Sequence, residues 1–347
     1  MRRLSSLLAS PAGRAARYLV SAALLAFLVL RLDWTRLTGL EGHFSQPLAL
    51  AALLLAGLTY PIHGWRWRLL LRAQSIPLSF RWAHLVTWIG QFYNAFLLGG
   101  VGGDAARVFY LVRDASDRRA AGFVTLVIDR AMGLVVLMTL AALALSARTA
   151  TLASDPRLRW VFIAAVTVTV GSAFVTLLLL CIAPARWPAA LRRLLGADRL
   201  DAIAQILNGI RTAPRAHAAA LASGVVIWLL DFISAWLLAR AVGLPLPFLD
   251  TCVAMSVAYA STALPISVGG HGVREGALLA TLTAFGLLAT PAAQERALLL
   301  ALLFWAVNVF WSLIGGLVLL AAPRLLPPSV PYTATSPRSR TFYQRNS

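Results

Sequence analysis

Two glycine clusters that carry charge interrupt hydrophobic stretches of this chain. The first reads Gly-Gly-Val-Gly-Gly-Asp over residues 99–104, and the second reads Gly-Gly-His-Gly-Val-Arg-Glu over residues 269–275. Glycine weakens regular helix, and irregular backbone at membrane depth is tolerated only where protein or a water-filled cavity covers it. Paired breaks in the two halves of a membrane protein point to a transport site.

The composition is typical of a polytopic α-helical membrane protein. The 347 residues are 59% hydrophobic, and their mean hydropathy is +0.76. The net charge of +18 would suit a nucleic-acid-binding protein. However, all 31 basic residues are arginines that lie mostly in short loops between apolar runs. Membrane topology and anionic lipids account for such charges, so we expect no nucleic-acid partner.

Six apolar runs are each close to the roughly 20 residues that a helix needs to cross a bilayer. They cover about 16–31, 47–65, 120–146, 159–183, 217–241 and 297–321. With the N-terminus inside, 22 arginines fall on the inner side and seven on the outer side. The positive-inside rule therefore predicts that both termini are cytoplasmic in a bacterial inner membrane. We expect one transmembrane domain over 1–325 and a disordered cytoplasmic tail over 326–347.

Two further apolar stretches lead into the glycine clusters. The first, at 83–100, is followed by a limb at 104–119 that is too polar and too short to cross, which predicts a re-entrant hairpin from the cytoplasmic side. The second, at 250–266, is followed by 273–288, and here an outer-side hairpin and two full crossings both remain open. The clusters align as Gly-Gly-x-Gly at an offset of 170 residues. Opposed hairpins would form an inverted repeat.

Polar side chains lie in or beside these apolar stretches. A charge at the bilayer centre costs about 2.5–3.5 kcal/mol, so we expect each one to face a partner or a cavity. The predicted substrate-binding and translocation residues are Gln91, Asn94, Asp104, Arg107, Asp129, Arg130, Asp231, Ser267, His271, Arg274 and Glu275. The residues predicted to shape the two breaks are Gly99, Gly100, Gly102, Gly103, Pro265, Gly269, Gly270 and Gly272.

Several of these residues have an architectural alternative. Asp129 could pair with an arginine of a hairpin, whereas Asp231 needs a partner from another element, with Arg130 and Arg274 as candidates. Arg274 and the free amide groups at the start of the following helix would make an anion site. Alternatively, Glu275 caps that helix while Arg274 reaches lipid headgroups.

No arrangement of residues indicates an enzyme. The sequence contains no serine-nucleophile elbow, nucleotide-binding loop or zinc-ligand spacing, and two cysteines are too few for a disulfide framework. We therefore expect no catalysis and no cofactor or metal. The expected partners are membrane lipids with anionic headgroups. Lipid-synthesis enzymes and a second copy of the chain are further candidates.

Three patches of the sequence resemble the lysylphosphatidylglycerol synthase transmembrane-region family, also called the flippase-like domain family. They are 90–94 running into Gly102, Gly103, Asp104 and Arg107; Asp129 and Arg130 with Gly133; and Pro265, Ser267, Gly269, Gly270, Gly272, Arg274 and Glu275. One departure is Leu97-Leu98, where the family usually has a proline before its first glycine cluster.

The resemblance implies a stand-alone member without the soluble synthase domain, and an activity in lipid translocation. The lipid would be an anionic or aminoacylated phospholipid, a polyprenyl phosphate or a glycolipid. Two alternatives remain open. One is an intramembrane enzyme that acts on a lipid-linked substrate, and the other is an accessory scaffold for envelope lipid synthesis.

Overall fold

The computed structural model describes residues 44–96, 102–115, 119–181, 204, 207–262, 267 and 270–325. Ten helices make up most of this part of the chain: α1 Gln46–Ala73, α2 Phe80–Phe96, α3 Gly102–Asp114, α4 Arg119–Ser146, α5 Thr149–Ser154, α6 Pro156–Cys181, α7 Pro214–Ala241, α8 Phe248–Ser261, α9 Val273–Ala284 and α10 Pro291–Leu325. The predicted span at 16–31 and the tail at 326–347 lie outside the described residues.

Five helices, α1, α4, α6, α7 and α10, are long and apolar enough to cross a membrane. They confirm the last five of the six predicted runs, with one correction. The first of these runs does not end at 65, because α1 continues through Arg66 to Ala73. Trp67, Leu70 and Leu71 extend the buried face of the helix beyond this arginine. Because the predicted run ends at 65, Arg66 was counted among the inner-side arginines between two spans, but it lies inside the bundle.

Each glycine cluster follows one short helix and runs into the start of the next, and the two helices pack as a hairpin. The first hairpin is formed by α2 and α3, and the second by α8 and α9. The four helices have 17, 13, 14 and 12 residues, which is fewer than the roughly 20 residues that a span requires. The limbs of the second hairpin are shorter than predicted, since α8 ends at 261 and α9 ends at 284. Their length favours a re-entrant hairpin over two full crossings.

The two hairpins start from opposite ends of the bundle, because α1 and α7 run antiparallel. The Ser45 N–H donates to the Ala241 carbonyl at 2.9 Å, and the Ser234 hydroxyl donates to the Ala52 carbonyl at 2.8 Å. The C-terminal ends of α1 and α7, from which the hairpins follow, therefore point in opposite directions.

The order helix, hairpin, helix occurs twice along the chain. Both α1 and α7 have 28 residues, and they start 168 residues apart, as do α2 and α8. This repetition in reversed direction is the inverted arrangement predicted from the spacing of the glycine clusters.

The second hairpin is enclosed by the rest of the protein. Residues 250–256 of α8 are all buried, and α8 packs against α4, α7 and α9. At its start, Asp250 accepts hydrogen bonds from Arg148, which follows α4, with a distance of 2.7 Å from the arginine Nε. The base of the hairpin is thereby fixed to the end of α4.

Candidate functional site

A cavity of about 530 Å³ lies where the tips of the two hairpins meet. The tips are joined by His271, whose Nε2 is 3.0 Å from the carbonyl oxygen of Ala95 at the end of α2. Side chains from α1, α2, α3, α4, α7, α8, α9 and α10 line the cavity. Eight of the predicted site residues are among them: Gln91, Asn94, Asp104, Arg107, Asp129, Arg130, Asp231 and Arg274.

The other three predicted site residues lie behind or beside the wall of the cavity. Ser267 is buried, and His271 holds the two tips together. Glu275 is fully buried, and one of its carboxylate oxygens, Oε1, accepts hydrogen bonds from the Nε and Nη2 of Arg274 at 3.0 and 2.7 Å. The other, Oε2, accepts the Gly272 N–H at 2.7 Å. Glu275 therefore caps α9, as the architectural alternative predicts.

Arg274 does not extend to lipid headgroups, and that part of the alternative is wrong. Its side chain is 6% exposed, and the guanidinium lies over the ring of Phe304, 4.7 Å from the ring centroid. The ion pair with Glu275 offsets the cost of burying this charge. Arg274 thus presents a paired guanidinium to the cavity from inside the protein.

The described glycines of the clusters allow close contacts or unusual backbone conformations. Gly102 and Gly103 begin α3, and the Gly103 N–H donates to Asn94 Oδ1 at 2.8 Å. A Cβ atom on Gly103 would overlap the Asn94 side chain. Gly270 and Gly272 have φ of +76° and +81°, which other residues adopt only with strain. The remaining predicted residues, Gly99, Gly100, Pro265 and Gly269, lie outside the described residues.

Five charged side chains form a chain of alternating ion pairs along one wall, which we call the ion-pair ladder. The Nε of Arg130 is 2.8 Å from Asp104 Oδ2. Arg107 Nη1 lies 4.0 Å from Asp104 Oδ1 and 3.5 Å from Asp129 Oδ2. Arg66 Nε completes the ladder at 2.7 Å from Asp129 Oδ1. The expected pairing of Asp129 with a hairpin arginine, Arg107, is confirmed, and Arg66 is a second partner.

Asp231 lies apart from the ladder. Its hydrogen-bonding neighbour is the Tyr259 hydroxyl, and Arg274 is its basic neighbour, whereas the other candidate, Arg130, pairs with Asp104. Arg66 approaches Gly224 on α7, and Asp231 follows seven residues later on the same helix. At 1.5 Å per residue, about 10 Å of helix separates Asp231 from the inner end of the ladder.

The lining of the cavity reflects the inverted repeat. Four pairs of lining residues are 168 residues apart, the same offset as the starts of α1 and α7: Tyr60 and Trp228, His63 and Asp231, Gln91 and Tyr259, and Asn94 and Thr262. Equivalent positions of the two halves therefore face one shared space. This is where related but inverted halves of a transporter place their substrate.

The family comparison agrees with this architecture. Residues 14–316 match the family model described as lysylphosphatidylglycerol synthase TM region. The chain belongs to this family. A search of curated proteins finds no match. Membership of the lysylphosphatidylglycerol synthase transmembrane-region family, together with the five apolar helices, makes this a multi-pass membrane protein linked to lipid metabolism or translocation.

Four ionisable lining residues of this lysylphosphatidylglycerol synthase transmembrane-region protein were missed by the sequence analysis. Tyr60, His63 and Arg66 are spaced three apart on α1, so they share one side of the helix. This spacing of polar groups within an apolar run was the available signal. Tyr259 gave no such signal. It lies near the end of a short apolar helix, and the ring of Trp228 contacts its ring at a centroid distance of 4.8 Å.

Proposed function

We propose that the protein is a lipid translocase of the bacterial inner membrane, with both termini in the cytoplasm. It would move an anionic or aminoacylated phospholipid, a polyprenyl phosphate or a glycolipid between leaflets. The observation that carries this proposal is the cavity between two opposed hairpins, which is lined by four arginines and three aspartates. Ionisable groups inside a membrane bundle are costly and usually mark a substrate path.

The charges of the cavity suit a lipid headgroup. The ion-pair ladder contains three arginines and two aspartates, so its excess positive charge matches a phosphodiester. Arginine binds phosphate through several charge-assisted hydrogen bonds. On the opposite side, Asp231 and Glu275 face one arginine, which favours a positive group such as the amine of an aminoacyl ester. The acyl chains would remain in the bilayer while the headgroup passes.

We propose that transport leaves the lipid chemically unchanged. The sequence has no nucleotide-binding motif, so energy would come from an ion gradient or from the lipid gradient itself. Lipids are the main partners in this proposal. Lipid-synthesis enzymes and a second copy of the chain are further candidates.

The test is lipid movement by the purified full-length protein in proteoliposomes. Phosphatidylglycerol with a nitrobenzoxadiazole label on an acyl chain is incorporated, and dithionite quenching reports how much label reaches the outer leaflet. We expect faster exchange than in protein-free vesicles. We expect at least a tenfold loss for Arg107→Gln, since one lost charge-assisted phosphate contact is worth about 1.5–3 kcal/mol. Arg113→Gln is the control, because Arg113 pairs with Asp114 on the same helix outside the cavity.

Three outcomes would overturn the proposal. The first is a chemically altered lipid, detected by mass spectrometry of the recovered lipids, without exchange between leaflets. This result would indicate an enzyme. Exchange that is absent from the wild-type protein would indicate a scaffold whose buried charges serve architecture. Exchange that is unchanged in a folded Arg107→Gln variant would exclude Arg107 from the lipid path, and with it the cavity argument that carries the proposal.

A further inference from the structure

Solvent exposure changes steadily along the ion-pair ladder. The side chain of Arg130 is 53% exposed, Asp104 is 24% exposed and Arg107 is 12% exposed. At the inner end, Asp129 is 6% exposed and Arg66 is 4% exposed. The ladder therefore leads from the surface of the bundle into the buried wall of the cavity, and the Asp104–Arg130 pair lies at its outer end.

The outer end of the ladder opens between α3 and α4, on an apolar surface. Leu134 lines the cavity one turn beyond Arg130 and is itself exposed. Phe123 and Val127, seven and three residues before Arg130 on the same side of α4, are more than half exposed. Exposed aromatic and aliphatic side chains on membrane helices face lipid chains. The mouth of the cavity is thus bordered by a surface suited to acyl chains and not to water.

The middle of the ladder has unused bonding capacity. Among the described residues, Arg107 makes two long contacts of 4.0 and 3.5 Å to carboxylates, and none of them is a hydrogen-bond partner for its buried Nε. The guanidinium is held in place by the ring of Trp67, 5.2 Å from the ring centroid. By contrast, the inner pair between Arg66 and Asp129 is short and buried, so neither residue would readily give up its partner to a phosphate.

We propose that the Asp104–Arg130 ion pair closes a lateral entrance between α3 and α4, and that a lipid phosphate opens it by taking the place of Asp104. The phosphate pairs first with Arg130 and then with the unused donor of Arg107. Each guanidinium keeps an anionic partner throughout. While the phosphate is on Arg130, the displaced Asp104 keeps Arg107 at 4.0 Å, and it returns to Arg130 when the phosphate moves to Arg107, so no charge is left unpaired in the membrane. The Arg66–Asp129 pair is the fixed inner limit of this path. The inference rests on the proposed function, because it assigns the route by which the lipid reaches the cavity.

Substitutions of Asp104 and Arg130 should change lipid binding in opposite directions if the pair closes an entrance, and in the same direction if the pair is only structural. Asp104→Asn removes the group that competes with phosphate, so phosphatidylglycerol should bind about two- to fivefold more tightly, the range expected for a partly exposed pair. Arg130→Gln removes the first phosphate partner, so binding should weaken by a similar factor. A pair that only stabilises the fold would produce a loss in both variants.

The measurement is the lipid-bound fraction of the detergent-purified full-length protein in native mass spectrometry, with phosphatidylglycerol as the probe. Translocation rates in the proteoliposome assay should shift in the same opposite directions. The control is Arg113→Gln, which removes an ion pair of 2.7 Å from α3 away from the cavity and should leave both readouts unchanged. Thermal unfolding shows that each variant is folded before its binding is compared.

The outcomes separate this inference from the proposed function. Binding that tightens in Asp104→Asn and weakens in Arg130→Gln supports the entrance even if the wild-type protein moves no lipid. The absence of lipid movement would contradict only the proposed translocation. Translocation by the wild-type protein with losses in both variants would overturn the entrance alone. Glycerol 3-phosphate in solution should not compete at millimolar concentration. Equal competition would show that the mouth takes a soluble phosphate, which would overturn lateral entry.

Discussion

The Arg66–Asp129 ion pair allows the energetics of the cavity wall to be tested directly. Its atoms are 2.7 Å apart and both side chains are nearly fully buried. Asp129→Asn keeps the shape of the side chain but removes its charge. In the described part of the chain, Arg66 then keeps the His63 ring as a polar neighbour, at 3.5 Å, and Arg107 loses one of its two carboxylate contacts.

The two partners should not be equivalent. Asp129→Asn raises the net charge of the ladder from +1 to +2 and leaves Arg66 buried without a counter-charge, which costs about 3–5 kcal/mol of the free energy of unfolding. Arg66→Gln lowers the net charge to zero, and Asp129 keeps Arg107 at 3.5 Å. For this variant we expect a loss of about 1–3 kcal/mol, the cost of one unsatisfied buried group. The double variant should lose less than the two single losses added together.

The assay is unfolding of the purified protein in mixed micelles with increasing sodium dodecyl sulfate, followed by tryptophan fluorescence. Trp67 stacks on Arg107 and reports on the same wall. Arg113→Gln removes a more exposed arginine, 26% against 4% for Arg66, and Asp114 keeps the Trp82 Nε1–H donor at 2.6 Å, so the loss should be less than about 1 kcal/mol. Equal losses for Asp129→Asn and Arg66→Gln, or losses below 1 kcal/mol in both, would refute the reasoning. Such results would mean that water in the cavity solvates the pair.

Two further predictions concern the hairpins. Gly103→Ala places a Cβ against the Asn94 side chain and a neighbouring carbonyl, so it should lower stability by about 1–3 kcal/mol in the same unfolding assay. Gly171→Ala, which has open space around it, should not destabilise, and a loss of equal size would contradict the packing argument. Glu275→Gln leaves Arg274 buried without its counter-charge, and should reduce stability by about 3–5 kcal/mol. The double neutralisation Arg274→Gln/Glu275→Gln should recover part of that loss, and a larger loss in the double variant would show that the pair is not what stabilises this tip.

Properties that depend on nearby residues were predictable. The apolar runs at 120–146 and 217–241 are helices close to their predicted bounds, because hydropathy over about 20 residues decides whether a helix can lie in a membrane. Each glycine cluster runs into the start of a helix for an equally local reason, since Gly102 begins α3 and Gly272 is the N-cap of α9. Their positions in the chain indicated a re-entrant hairpin at the first cluster, and left an opposed hairpin or two full crossings open at the second.

The partners of the charged residues could not be predicted from nearby sequence. The sequence around Arg66 looks like that of a loop, since two further arginines follow within six positions. In the structure, however, Arg66 lies in α1 and pairs with Asp129, which is 63 residues away. Arg148 and Asp250 are 102 residues apart. Loop arginines and buried arginines look alike until the element that carries the carboxylate is placed.

The sequence alone therefore determined that the protein lies in a membrane, which segments are helical, where the two breaks occur and which polar groups are available. Each of these properties follows from local composition and backbone preference. Only the tertiary structure decided that Glu275 caps a helix, that Arg66 belongs to the cavity and that Asp104 lies at its mouth. The antiparallel packing of α1 against α7 and the contact between the hairpin tips bring together residues from both halves of the chain. Pairing and burial of charges depend on those distances, which no local pattern encodes.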